Sequence, residues 1–210
     1  MAKKLAKPVD FVEAGVTDVS SSDMKREFKT PIKLDIGCGT NKKAGFHGVD
    51  QYAMPGVDSV FKIGGEKWPF PDSSVDEAHS SHFLEHLTNM NGKWERVHFF
   101  NELHRVMEPG AKASMVFPHW ASNRYYGDPT HCEPFSEMGF YYLSREWRKT
   151  QAPHSDIEWN ANGYTCDFEC TWGYSLHGSL MTRNQDYQQF ALQNYKEAAQ
   201  DIIANLVCRK

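Results

Sequence analysis

The stretch HSSHFLEHL, residues 79–87, places His82, Glu85 and His86 in the order H-x-x-E-H. On one helix, His82 and His86 would stand a turn apart on the same face, where two imidazoles can share a zinc ion. A second chemically suggestive stretch is LDIGCG, residues 34–39. Glycines after an apolar run let a ligand approach the backbone with no Cβ in the way, and they reach positive φ. Asp50 closes the next apolar stretch, FHGVDQY, with a carboxylate that can accept hydrogen bonds from paired hydroxyls. Among 10 histidines, His119 in PHW and His131 in GDPTHCEPF are candidate general bases, because imidazole titrates near neutral pH.

Which of these groups meet depends on the elements that carry them. Ile32, Leu34 and Ile36 form a short apolar run that stops at Gly37-Cys38-Gly39, a buried strand and a glycine turn. Further short strands follow in FHGVDQY, ending at Asp50, in VDSVFKI, and in SVDEAHSSH, ending near Ser80. Residues 92–107 carry Trp94, Val97, Leu103 and Val106 at helical spacing, a helix ended by Pro109 and Gly110. KASMVFP reads as a fifth strand and SEMGFYYLSREW as a helix with Ser136 as its N-cap. NGYTCDFECTWGYSL reads as a sixth strand and NQDYQQFALQNYKEAAQ as a helix, while DIIANLVCRK fits either state.

This alternation predicts an α/β fold with a mostly parallel central sheet flanked by helices, and a ligand beyond the carboxyl ends of the strands. Gly37–Gly39, Asp50, Ser80–His82 and Pro118–Trp120 then share one rim. The same reading breaks the H-x-x-E-H match. His79–Ser81 finish a strand and the turn falls near His82, so no metal site is expected, and a zinc hydrolase is a third reading behind the two below. A nicotinamide dinucleotide site would need G-x-G-x-x-G with an acid about 20 residues on; here the third glycine is missing and Asp50 comes too early.

Composition narrows the class. The 210 residues carry a formal charge of -4, without the basic surplus usual in a nucleic-acid binder. No run approaches the ~20 apolar residues that span a bilayer. The start, MAKKLAKPVDF, is positively charged but lacks the apolar core of a secretory signal, which predicts a cytoplasmic protein. Five cysteines then read as free thiols. The CDFEC pair is no zinc clip if it lies on a strand, where four positions span roughly 13 Å.

KLDIGCG, GFHGVD, WPFPDSSVDEAHSSHFLEHL and ELHRVMEPGA follow one another over residues 32–118. In this the chain resembles class I S-adenosylmethionine-dependent methyltransferases, where LDIGCG, an acid, LPFPDxSFD, SxxLEH and RVLKPGG recur in that order. Residues 119–210 are similar to uncharacterised methyltransferases of phage and environmental origin. The resemblance implies a Rossmann-like sheet with an antiparallel last strand, and S-adenosylmethionine as cofactor. It implies that Asp35, Gly37, Cys38 and Gly39 cradle the methionine part, that Asp50 binds the ribose and that Gln51 lies near the adenine. Ser80, Ser81 and His82 would close over the amino-acid end, with Glu85 and His86 supporting His82. Residues 1–30 would be a polar lead-in and 31–210 a single domain, in which 119–165 form a substrate-side insertion.

Two features depart from the family pattern. The connection from Gly39 to Asp50 is too short for a full first helix, and the acid that many relatives place before PFPD is replaced by Lys62, Ile63, Gly64 and Gly65. A catalytically silent cofactor-binding or scaffold protein on the same fold is therefore the alternative to an enzyme. In an enzyme, the base would be His119 or His131, then His82, with Asp128 as an orienting partner. SSHF stands where enzymes that methylate amino groups of DNA bases carry N/D-P-P-Y. With the aromatic stretches HWASNRYY and FYYLSREW, this points to an oxygen nucleophile on a small molecule or sugar rather than nucleic acid. Nothing in the sequence fixes an oligomeric state.

Overall fold

A computed structural model describes residues 32–210; the lead-in read over residues 1–30 lies outside the described residues. The first apolar run becomes β1 (Ile32–Ile36), with Ile32, Leu34 and Ile36 all buried. β2 (His47–Asp50), β3 (Ser59–Val60), β4 (Val75–Ser81) and β5 (Met107–Pro118) follow, and all pairs among these five strands are parallel. β6 (Phe168–Leu176) and β7 (Ala199–Cys208) complete the order β3-β2-β1-β4-β5-β7-β6, with β7 antiparallel to both its neighbours. The tail that fits either state is thus a strand. Ile202, Ala204, Leu206 and Cys208, two apart, are all buried, which is the period of a sheet face. Residues 37–46 cross from β1 to β2 in turns without a helix, as the short spacing requires.

α1 (Glu95–Val106) covers the sheet with Phe99, Phe100, Leu103 and Val106. Phe99 meets Trp68 edge-on at 5.7 Å and Phe83 at 6.1 Å between ring centroids. Pro109 and Gly110 do not end this helix; they lie within β5. Val75 pairs with Met107 but Glu77 with Lys112, so residues 108–111 bulge around Gly110 at φ +80.

Between β5 and β6 run four short helices: α2 (Asn123–Tyr126), α3 (Glu137–Tyr141), α4 (Arg145–Gln151) and α5 (Asp156–Trp159). The single helix expected over SEMGFYYLSREW is thus two. Leu143 turns into the core, and the Ser144 side chain accepts from Trp147 N–H to cap α4, whereas Ser136 makes no such bond. β6 also starts later than its alternation suggests. Thr165 and Cys166 give their N–H groups to the Asn101 side chain at 2.8 and 3.2 Å, which holds that stretch off the sheet. α6 (Gln185–Asn194), capped by Asn184, precedes β7. All five cysteines are free, and burial pushes the Cys166 and Cys170 thiols up to about 12. Among the described residues no helix is long and apolar enough to cross a membrane.

Phe99 is fully buried at the junction of α1 with the sheet. Phe99→Ala should cost about 3–5 kcal/mol, read as a lower urea midpoint at unchanged slope.

Candidate active site

The parallel strands bring the ends of β1, β2, β4 and β5 to one rim. Gly37 and Cys38 give their N–H groups to the Val49 carbonyl at 2.8 and 3.2 Å, tying the glycine turn to β2. Gly37 sits at φ +69, and a Cβ there would come 2.3 Å from the Phe83 ring, so no side chain fits. Gly39 differs: the space a Cβ would take is open. Its N–H donates to one Asp50 oxygen at 3.0 Å, while Tyr52 N–H donates to the other at 3.1 Å. Asp50 is buried, and each of its oxygens keeps accepting capacity beyond these backbone partners. Asp35 is also buried, but its carboxylate accepts from Lys43 N–H at 2.6 Å and so secures the crossing loop. Burial, with Asp35 and Asp50 nearby, pushes the Cys38 thiol up to about 11, so it stays protonated at neutral pH. Gln51 is exposed beside Asp50.

β4 ends next to this turn. Ser80 is buried, its hydroxyl donating to the Ile36 carbonyl at 2.9 Å, and Ser81 is exposed. At His82 the chain enters the left-handed region at φ +53, uncommon for a residue with a side chain, and its N–H is held by the Val116 carbonyl at 2.8 Å. That reversal lays Phe83 against Gly37 and leads into a single 3-10 turn, Leu84–His86. Glu85 in this turn is 2% exposed, and neither carboxylate oxygen has a hydrogen-bond donor. His82 Nδ1 comes within 3.3 Å of Glu85 Oε1 but out of line, and His131 Nε2 stands 3.9 Å from the same oxygen. The Glu85 contact raises the His82 pKa above its usual value, against the burial that lowers it. His131 Nδ1 donates to the Tyr125 carbonyl at 2.6 Å. Asp128 does not orient it; that carboxylate takes the Thr130 N–H and hydroxyl at 2.8 and 2.7 Å.

His119 lies just past β5 in a different group. Its Nδ1 accepts from Ala121 N–H at 3.1 Å, so Nε2 carries the hydrogen and donates to Glu137 at 3.1 Å. Trp120 Nε1 donates to the other Glu137 oxygen at 3.1 Å. Burial would raise the Glu137 carboxyl, but hydrogen bonds from His119, its own backbone N–H and Tyr174 outweigh it and hold it at about 2. Tyr174 in turn rises to about 12 through burial and its bond to Glu137. A cavity of about 420 Å³ opens here, lined by His119, Trp120, Asn123, Tyr126, Tyr195 and Ala199 among others. Nearby, Arg124 pairs with the buried Asp201 at 2.6 Å, leaving Asp201 Oδ1 without a partner. Asp201 also raises and Arg124 lowers the His82 pKa, less than Glu85 does.

Residues 49–115, from the end of β2 into β5, match the family model described as a methyltransferase domain. That match spans 67 of the 210 residues, and the sheet order is that of a Rossmann-like methyltransferase fold. Among solved structures, the domain is similar to a SAM-dependent methyltransferase from Archaeoglobus fulgidus, at 17% identity and a TM-score of 0.54, covering 89% of this chain and 92% of that one. It is similar to another from Methanosarcina mazei, at 17% identity and a TM-score of 0.50, covering 92% of this chain and 100% of that one. At these identities the likeness concerns the fold. No curated protein matches the sequence.

The structure thus brings Gly37–Gly39 and Asp50 together, sets His82 and His131 around Glu85, and gives His119 a different partner, Glu137. Sequence reasoning missed Glu137, Arg124 and Asp201. Asp201 left a signal, a lone acid at the head of an apolar alternating strand; Glu137 left none, because its donors come from β6 and the loop after β5. Glu137→Gln should destabilise the domain most above its ordinary value of 4.5, where the native carboxylate is charged and bonded. That difference should shrink as pH falls from 4.5 towards 2, since the unfolded carboxyl protonates first. Urea denaturation of both proteins across this range checks it.

Proposed function

We propose that this domain transfers the methyl group of S-adenosylmethionine to an oxygen of a small-molecule or sugar acceptor held in the cavity beside His119. The observation that carries the cofactor part is the Gly39–Asp50 contact. A glycine backbone open on one side is bonded to a buried acid with accepting capacity to spare, which fits a ligand with paired ribose hydroxyls. When bound, the cofactor supplies an electrophilic methyl group on a sulfonium. Asp50 would accept from the ribose hydroxyls, with Gln51 near the adenine. Gly37, Cys38 and Gly39, their turn secured by Asp35, would line the methionine part, and Ser80, Ser81 and His82 its amino-acid end.

The acceptor side follows from the cavity. Trp120, Tyr126 and Tyr195 offer aromatic faces to a planar or sugar substrate, and Asn123 a polar contact. Residues 31–210 then act as one domain, with 119–165 on the acceptor side. Both ring nitrogens of His119 are engaged, so it orients Glu137 and Trp120 and does not take the acceptor's proton. Proton removal falls to the group around Glu85, which His82 and His131 face. Alignment and exclusion of water supply the rest of an in-line displacement.

A second reading, a cofactor-binding protein without catalysis, is favoured by residues 62–65. No acid stands there to read the adenine amino group, and the Ile63 carbonyl is taken by Trp68 Nε1 at 2.9 Å. Release of S-adenosylhomocysteine across hydroxyl, amine and nucleic-acid acceptors separates the two. Turnover with hydroxyl acceptors is expected; cofactor binding without turnover on any acceptor supports the second reading. Asp50→Ala should weaken S-adenosylhomocysteine binding about 10- to 100-fold by calorimetry, the worth of one or two hydrogen bonds to a charged group. No binding by the unaltered protein at millimolar ligand would sink both readings.

A further inference from the structure

The group around Glu85 has a more specific geometry than a general base needs. We propose that Glu85, His86 and His131 form a binding site for one divalent transition-metal ion. One ligand atom from each of the three lies within 4.8 Å of the other two. The expectation of no metal rested on looking for His82 and His86 on one helix. The structure replaces His82 with His131, from a loop that no sequence spacing links to Glu85.

Three observations carry the proposal. Glu85 is a buried carboxylate with no aligned hydrogen-bond donor, its nearest partner being the exposed His82 imidazole 3.3 Å from Oε1, so both oxygens keep capacity for a cation. Both imidazoles are held in the tautomer that a metal needs. His131 Nδ1–H donates to the Tyr125 carbonyl, which leaves Nε2 unprotonated on the Glu85 side. The Thr130 hydroxyl gives its hydrogen to Asp128 at 2.7 Å, so its oxygen accepts from His86 Nδ1–H at 3.2 Å and leaves His86 Nε2 unprotonated as well. Fixing the outer nitrogen of a ligating histidine on an oxygen is how metal sites set ring orientation. Finally, the 3.9 Å between His131 Nε2 and Glu85 Oε1 is too long for a hydrogen bond. It falls inside the roughly 3.0–4.3 Å that separates two ligands of one ion with bonds of about 2.0–2.2 Å.

The two segments that supply the ligands are also fastened to each other. Arg96, buried under the turn, donates to the Leu84 carbonyl at 3.3 Å, to the Pro134 carbonyl at 3.1 Å and to the Glu133 carbonyl. Cys132 N–H donates to the Glu85 carbonyl at 2.9 Å. Two imidazoles and one carboxylate suit zinc, cobalt or iron rather than magnesium or calcium. Three protein ligands leave a position open, where an acceptor hydroxyl bound to the ion would lose its proton more readily. That role rests on the methyl-transfer reading; binding of the ion does not.

The test is titration of chelator-stripped full-length protein with Zn²⁺ by calorimetry and with Co²⁺ by visible absorption. One ion per chain is expected, with affinity lowered at least about tenfold in His131→Ala and in His86→Ala. Thr130→Ala, which releases the outer nitrogen of His86 and frees the exposed Asp128 of one donor, should weaken binding by about 10-fold and leave the circular dichroism unchanged. Should a ligand variant fail to fold, Thr130→Ala still decides the matter. Fewer than one ion per chain, or affinity unchanged in these variants, overturns the site. S-adenosylhomocysteine binding in the same samples keeps the two claims apart: its loss with zinc retained would count against methyl transfer alone.

Discussion

Gly37 and the Phe83 ring lie so close that no side chain fits between them. This one contact lets the exit of β4 fold over the exit of β1, with Ser80 anchored on the Ile36 carbonyl beneath it. It needs a residue without a Cβ that tolerates positive φ at 37, and a reversal at His82 sharp enough to bring Phe83 inward. Behind Phe83 stands Phe99 of α1, so the rim is braced directly by the core. The open Gly39 backbone, the Asp50 carboxylate and the Glu85 turn keep their places because this stack fixes the two strand exits together.

Two acids, the buried Glu85 and the half-buried Glu137, are treated in opposite ways. Glu137 receives donors from His119, Trp120 and Tyr174, which stabilise its charge in place. Glu85 is more deeply buried, yet faces one misaligned imidazole and one imidazole lone pair. A fold that provides donors for one carboxylate and withholds them from another, in the turn after Phe83, leaves the second available to a ligand. Glu137 holds His119 and Trp120, which line the cavity after β5.

The sheet was legible where local pattern and global fold agree. Ile32, Leu34 and Ile36 before a glycine turn, and Asp50 at the next strand end, could be read directly. The antiparallel β7 could not be separated from a helix, because DIIANLVCRK is apolar enough for either and only its pairing with β5 and β6 decides. SEMGFYYLSREW reads as one helix since nothing local shows that Leu143 must turn into the core. In the site, residues within one motif were found; pairings across long separations, such as His131 with Glu85, His119 with Glu137 and Arg124 with Asp201, were not. Glu85 and His86 of H-x-x-E-H recur in the proposed metal site, but a single 3-10 turn stands where that pattern presupposes a helix.

The most direct measurement is a crystal structure of the protein with S-adenosylhomocysteine. The account predicts the ribose hydroxyls on the Asp50 carboxylate and the amino-acid end along Gly37–Gly39, beneath Ser81 and His82. A nucleoside bound elsewhere, with Asp50 keeping only Gly39 and Tyr52 as partners, would contradict it.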